Sequence, residues 1–126
     1  MTTPVPLRVF YLEDNPLIVF HIEAMIEDLG HIFSGSLSSF AELKASFGEF
    51  VMDCALVDID LADGPTGPQA AEWLLNKGIP SIFVTGQAEI AAQFSQESLG
   101  TIVKPVADKD MAAKLELFRL AIATKD

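Results

Sequence analysis

Cysteine is nearly absent from this chain. Cys54 is the only one among 126 residues, so no internal disulfide can form, and its place in a strand-like run marks it as a small buried hydrophobe. Basic residues are scarce: 8 Lys and Arg stand against 18 Asp and Glu, for a net charge of −10. Non-specific binding to nucleic acid or to an anionic membrane rests on Lys/Arg attraction, so neither is expected as a partner. Long apolar runs are missing as well. Half of the residues are hydrophobic and the mean hydropathy is +0.35, yet charges or prolines break every run short of the ~18 residues a membrane span needs. The start, Met1-Thr2-Thr3-Pro4-Val5-Pro6, has no basic region leading into an apolar core and does not read as a signal peptide. A cytoplasmic location is the expectation. So is one domain over 1–126, long enough for a core, without repeats, an interdomain linker or an attached output module.

What is present is an alternation of strand and helix periods. Apolar runs at Leu7 to Leu12, His31 to Ser36, Ala55-Leu56-Val57, Ile82-Phe83-Val84 and Ile102-Val103 read as five strands. After Asn15-Pro16 the helical spacing puts Ile18, Ile22, Met25, Ile26 and Leu29 on one face, with Gly30 as the stop. Ser39 with Glu42 forms a capping box ahead of Leu43 and Phe47. Gly67-Pro68 starts a third helix from Ala70 to Lys77, closed by Gly78. Glu89 to Ser98 is polar and supports only a weak helix. Asp108 is placed to cap a last helix whose buried face is Met111, Leu115, Phe118 and Ile122. The order βαβαβαβαβα predicts an α/β fold: a doubly wound, five-stranded parallel sheet, (βα)5 and flavodoxin-like.

Four of these strands deliver a reactive side chain at the C-terminal end, the edge where open α/β sheets bind ligands. They are Glu13-Asp14 after the first, Asp58 after the third, Thr85 after the fourth and Lys104 after the fifth. Each has an ordinary explanation when taken singly: a solvated turn or helix start, a turn, a strand exit. Together, in this order, they suit one task. A carboxylate can accept a phosphoryl group, so Asp58 is the candidate acceptor. Clustered carboxylates raise one another's pKa unless a cation offsets the repulsion, and Mg²⁺ pairs one or two carboxylates with phosphate oxygens. The Lys104 ammonium would balance the incoming charge and the Thr85 hydroxyl would donate to it.

With these residues in this order, the chain resembles the response regulator receiver domain of two-component signalling over nearly its whole length. The matching motifs are Glu13-Asp14, Asp58, Thr85, Lys104-Pro105 and Gly67, the glycine opening the third helix. The resemblance implies a phosphoacceptor at Asp58, fed by a histidine kinase or a histidine phosphotransfer protein. It implies Mg²⁺ bound directly by Asp14, Asp58 and the Asp60 backbone carbonyl, with Glu13 acting through water. It also implies a cis bond before Pro105, and no enzymatic activity beyond autodephosphorylation. Three departures stand out. Thr101 occupies the position of an aromatic switch residue, Asp60 places a carboxylate two residues after the acceptor, and only 19 positions separate Thr85 from Lys104. The last, with Phe83-Val84-Thr85-Gly86, is similar to stand-alone receivers with a Phe-Ala-Thr-Gly-like fourth strand. Such a protein acts by contact with a partner or as a phosphate sink.

Asp58-Ile59-Asp60 also resembles the nucleophile motif of haloacid dehalogenase phosphatases, with Asp60 as general acid/base. Against that, Ala62 replaces the usual Thr or Val, Asp108 and Asp110 begin a helix, and there is no cap domain. An FMN carrier fits less well, because Glu13-Asp14-Asn15-Pro16 would repel a flavin phosphate. His21 flanks the buried stripe of the first helix and reads as partly packed. His31 opens a strand, and Trp73 and Leu74 read as core or flank. Phe20, Leu117 and Leu120 point away from their helices' buried faces. They are the candidate partner surface: Phe20 for a kinase, Leu117 and Leu120 for a downstream target or a homodimer through the last helix.

Overall fold

Runs that are apolar at every position cannot leave one side of a sheet in water, so both sides must be covered. The computed structural model, which describes residues 5–123, shows how. Strands β1 (Arg8–Leu12), β2 (Ile32–Leu37), β3 (Cys54–Val57), β4 (Ser81–Thr85) and β5 (Thr101–Val103) form one sheet in the order β2-β1-β3-β4-β5, with every neighbouring pair parallel. Helices α1 (Pro16–Asp28), α2 (Phe40–Ser46), α3 (Gly67–Asn76), α4 (Ala88–Ala92) and α5 (Asp108–Ala123) alternate with them. Successive strand residues point to opposite faces. Val9, Tyr11, Cys54, Leu56, Ile82 and Val84 therefore pack under α1 and α5, and Phe10, Leu12, Ala55, Val57 and Phe83 pack under α2, α3 and α4. The expected (βα)5 doubly wound parallel sheet is the one observed. Residues 1–4, on which most of the leader reading rests, lie outside the described residues. Among the described residues, no helix is long and apolar enough to cross a membrane.

Local chemistry sets the element ends. Asn15 caps α1 by accepting from the Leu17 N–H at 3.0 Å, Pro16 pre-sets the first turn, and Gly30 at φ 87° terminates it. Ser39 accepts from the Glu42 N–H at 3.1 Å. The Glu42 carboxylate reaches back to the Ser38 N–H at 3.2 Å, one residue earlier than a standard capping box.

Three details differ from the sequence reading. Leu29, expected on the buried face of α1, is 37% exposed: the helix ends at Asp28 and Leu29 is its C-cap, so the wheel no longer applies. His21 is exposed and lines a surface groove with Leu17, Ile18, Ile22, Lys104, Pro105 and Val106, so the helix face beside it is not covered as the wheel implied. Asp108 lies within the first turn of α5, where its charge favours the helix's positive end, and is not the cap. The weak fourth helix is indeed short, with Ala91 its only buried residue.

Candidate functional site

The chain crosses from β2 back over β1 to reach β3, so the strand order reverses between β1 and β3 and opens a crevice at their C-terminal ends. Backbone bonds level the rim. The Asp58 N–H donates to the Leu12 carbonyl at 3.0 Å, and the Lys104 N–H donates to the Thr85 carbonyl at 3.0 Å. Asp58, only 7% exposed, stands at the crevice, and Gly67 lets α3 start against its backbone. A Cβ at Gly67 would lie 2.0 Å from the Asp58 carbonyl oxygen.

The sequence-predicted residues converge here. Lys104 Nζ donates to Glu13 Oε1 at 2.6 Å and to Asp58 Oδ2 at 3.0 Å. Carboxylate oxygens of Glu13, Asp14 and Asp58 all lie within 4.8 Å of one another, a set of hard oxygen donors that suits Mg²⁺. Asp58 Oδ1 accepts from the Ile59 N–H at 2.7 Å. Buried Thr85 accepts from the Gln87 N–H at 3.0 Å. The Lys104–Pro105 bond is cis. The Asp60 side chain is exposed and is held by Gln87 Nε2 at 2.6 Å, so its carboxylate is outside the acidic cluster. Phe20 and Leu120 are 74% and 63% exposed, and Leu117 is also exposed.

Charge is unevenly shared among the acids. Burial pushes the Asp58 carboxyl up to about 6. The Lys104 hydrogen bond opposes that shift, and the neighbouring Glu13 charge adds to it. Burial also works against Glu13, but the Lys104 bond and charge and the Tyr11 hydroxyl outweigh it and leave Glu13 below its ordinary value. Asp14 is raised, first by partial desolvation and then by Glu13. Burial disfavours the Lys104 ammonium, yet its bonds to Glu13 and Asp58 hold its pKa above the usual lysine value. The metal-free site is thus one fixed carboxylate, one ammonium and two carboxyls that resist ionising.

Tyr11, Gln87 and Asp63 were not foreseen. The Tyr11 hydroxyl donates to Glu13 Oε1 at 2.9 Å. The period-2 alternation, which puts residues 11 and 13 on one face, was a usable signal. Asp63 accepts from the Phe40 and Ala41 N–H groups at 3.2 and 3.0 Å and from the Thr66 hydroxyl at 2.7 Å, fastening the loop after Asp58 to the start of α2. His31 is occupied elsewhere, its Nδ1 accepting from the Leu7 N–H at 3.0 Å.

No family model matches the chain. It is 36% identical over 84 residues to the phyllosphere-induced regulator PhyR of Methylorubrum extorquens, a match covering 65% of this chain and 32% of that protein. The receiver domain of the Erythrobacter litoralis response regulator PhyR superposes with a TM-score of 0.81 at 25% identity, covering 91% of each chain. The chain belongs to the response regulator receiver domains. The Bartonella quintana PhyR, described as an anti-anti-sigma factor, matches with a TM-score of 0.82 at 29% identity over 93% of this receiver and 49% of its own length. This receiver thus spans about a third of the length of the curated relative it matches. Its place among such proteins puts it with signalling regulators that carry a phosphoacceptor domain.

Proposed function

We propose that Asp58 accepts a phosphoryl group from a phosphorylated histidine of a histidine kinase or phosphotransfer protein. The observation that carries this reading is the Lys104 ammonium held 3.0 Å from a buried Asp58 carboxylate at the β1/β3 crevice. With its carboxyl at about 6, Asp58 is mostly ionised at neutral pH and can attack phosphorus. The P–N bond to the donor imidazole breaks, and its electron pair stays on the imidazole. Lys104 then balances charge on the transferred group, and the Thr85 hydroxyl turns to donate to it.

Asp14, Asp58 and the Asp60 carbonyl would hold Mg²⁺, which would neutralise charge on the phosphoryl oxygens. Glu13 stands behind them with both oxygens already in use. Phe20 and the groove beside Pro105 suit the kinase or phosphotransfer protein; Leu117 and Leu120 suit a target protein or a second copy. Output by contact with another protein, or by draining phosphate from the kinase, completes the proposal. The name of the Bartonella relative supports protein contact as the output. The phosphatase alternative is not favoured, because the Asp60 carboxylate is tied to Gln87 rather than directed at Asp58.

The reading is tested by incubating the chain with phosphorylated histidine kinases in Mg²⁺. An alkali-labile label is expected to move from one of them to this chain. Transfer of an alkali-stable label would point to a different acceptor chemistry.

Metal binding has its own test. Saturating Mg²⁺ is expected to raise stability by mass action, about 3 kcal/mol at a hundredfold excess over Kd. Asp14→Ala is expected to lose that gain in thermal melts. Equal stabilisation of both proteins would place the ion elsewhere.

A further inference from the structure

Gln87 stands between the two loops that flank Asp58. Its backbone N–H donates to Thr85 Oγ1 at 3.0 Å, and its side-chain Nε2 donates to Asp60 Oδ2 at 2.6 Å. Its carbonyl accepts the Ile90 and Ala91 N–H bonds that start α4, at 3.1 and 3.0 Å. One residue therefore joins the hydroxyl after β4, the turn after β3, 27 positions away in sequence, and a helix of five residues with a single buried side chain. The bridge to Asp60 is short and charge-assisted, the stronger kind of hydrogen bond.

We propose that Gln87 is a latch: a positioning residue that holds the resting state by engaging Thr85 and Asp60 at once. This rests on Asp58 being the phosphoacceptor. To donate to a phosphoryl group on Asp58, the Thr85 hydroxyl has to turn inward, and its oxygen leaves the Gln87 N–H or carries it along. Either way Gln87 shifts, with α4 behind it, and Nε2 is drawn off Asp60. The bridge exists only in the resting state, so its free energy is part of what a phosphoryl group has to overcome. A ligand shifts a two-state equilibrium only by its differential affinity, and anything that weakens the disfavoured state's competitor raises apparent affinity. The latch thereby sets how readily the domain is switched, without touching the phosphoryl group itself.

The test uses the full chain, beryllofluoride with Mg²⁺ as the acyl phosphate mimic, and calorimetric titration. Amide exchange over residues 86–92 serves as a second readout. Gln87→Ala is expected to bind the mimic about tenfold more tightly, the lower end of what losing a hydrogen bond to a charged group costs, because the Asp60 side chain is exposed. Asp60→Ala also removes a charge near the anion, so the decisive comparison is Gln87→Ala in an Asp60→Ala background, where it is expected to do nothing. In Asp60→Asn, which keeps an acceptor oxygen, Gln87→Ala is expected to regain part of its effect. The latch is overturned if Gln87→Ala leaves affinity unchanged or weaker, or acts equally with and without the Asp60 side chain. If the wild type does not bind the mimic in a manner that Asp58→Asn removes, the phosphoacceptor reading fails, and the latch fails with it.

Discussion

Asp58→Asn is expected to abolish the phosphoryl label completely and, in the same variant, to make the metal-free protein more stable at neutral pH. The first effect follows because an amide is no nucleophile for phosphorus, while its shape still fits between the Ile59 N–H and Lys104. The second follows from linkage. Folding moves the Asp58 carboxyl from its ordinary 3.8 to about 6, so over that window the native state holds more protons than the unfolded chain. Stability is then fully present below about pH 4 and is lost as pH rises through 6. Two pKa units correspond to about 3 kcal/mol. The value of about 6 already contains the attraction to Lys104, but the amide's NH2 cannot accept one of the two hydrogen bonds the carboxylate accepts, so a net gain of about 2 kcal/mol is expected at pH 7. Melts of the two proteins from pH 4 to 8 in the presence of a chelator are expected to diverge as pH rises. A label that persists would move the acceptor to another residue. A variant less stable at every pH would contradict the electrostatics.

Gly67→Ala is expected to be the most damaging single substitution of a small residue in the fold. The added Cβ would meet the Asp58 carbonyl oxygen at 2.0 Å and the Ile59 Cα at 2.7 Å. Both are backbone atoms, so no rotamer change relieves the clash, and α3 has to back away from β3. Overpacking of this kind costs about 3 kcal/mol, with larger values known. The displaced backbone is the one that carries Asp58, so phosphoryl acceptance is expected to fall along with stability. Gly48→Ala is the control, because nothing lies within 4 Å of a Cβ there, and it is expected to be neutral. Urea denaturation of the two variants decides the matter: similar midpoints would mean that the approach of α3 to β3 is not needed.

These expectations trace back to how the sequence encodes the site. Asp58, Glu13, Asp14, Thr85 and Lys104 were legible because each directly follows or ends an apolar run, and run ends mark strand ends. The sheet was legible because its strands are apolar on both faces. The short α4 was foreseen from the polarity of Glu89 to Ser98. Leu29 and His21 were misplaced because a helical wheel contains neither the point where the helix stops nor the elements that cover it. The Gln87–Asp60 bridge and the Asp63 contacts with α2 join residues 22 to 27 positions apart. Such pairings depend on how two loops settle over the finished sheet, and no local pattern encodes them.

The hydroxyl beneath Glu13 has a consequence for anyone wishing to move this site to another protein. Glu13 Oε1 is shared by Tyr11 and Lys104, and Oε2 takes the Asn15 N–H at 3.2 Å. Its position and its low proton affinity are therefore properties of three neighbours, one of them a fully buried ring on the strand below. Grafting Glu-Asp alone onto a β1–α1 junction would place a buried carboxylate with nothing to hold its charge, and it would take up a proton or swing into solvent. The smallest transferable unit is Tyr11-x-Glu13-Asp14-Asn15 together with a lysine facing it from just after β5.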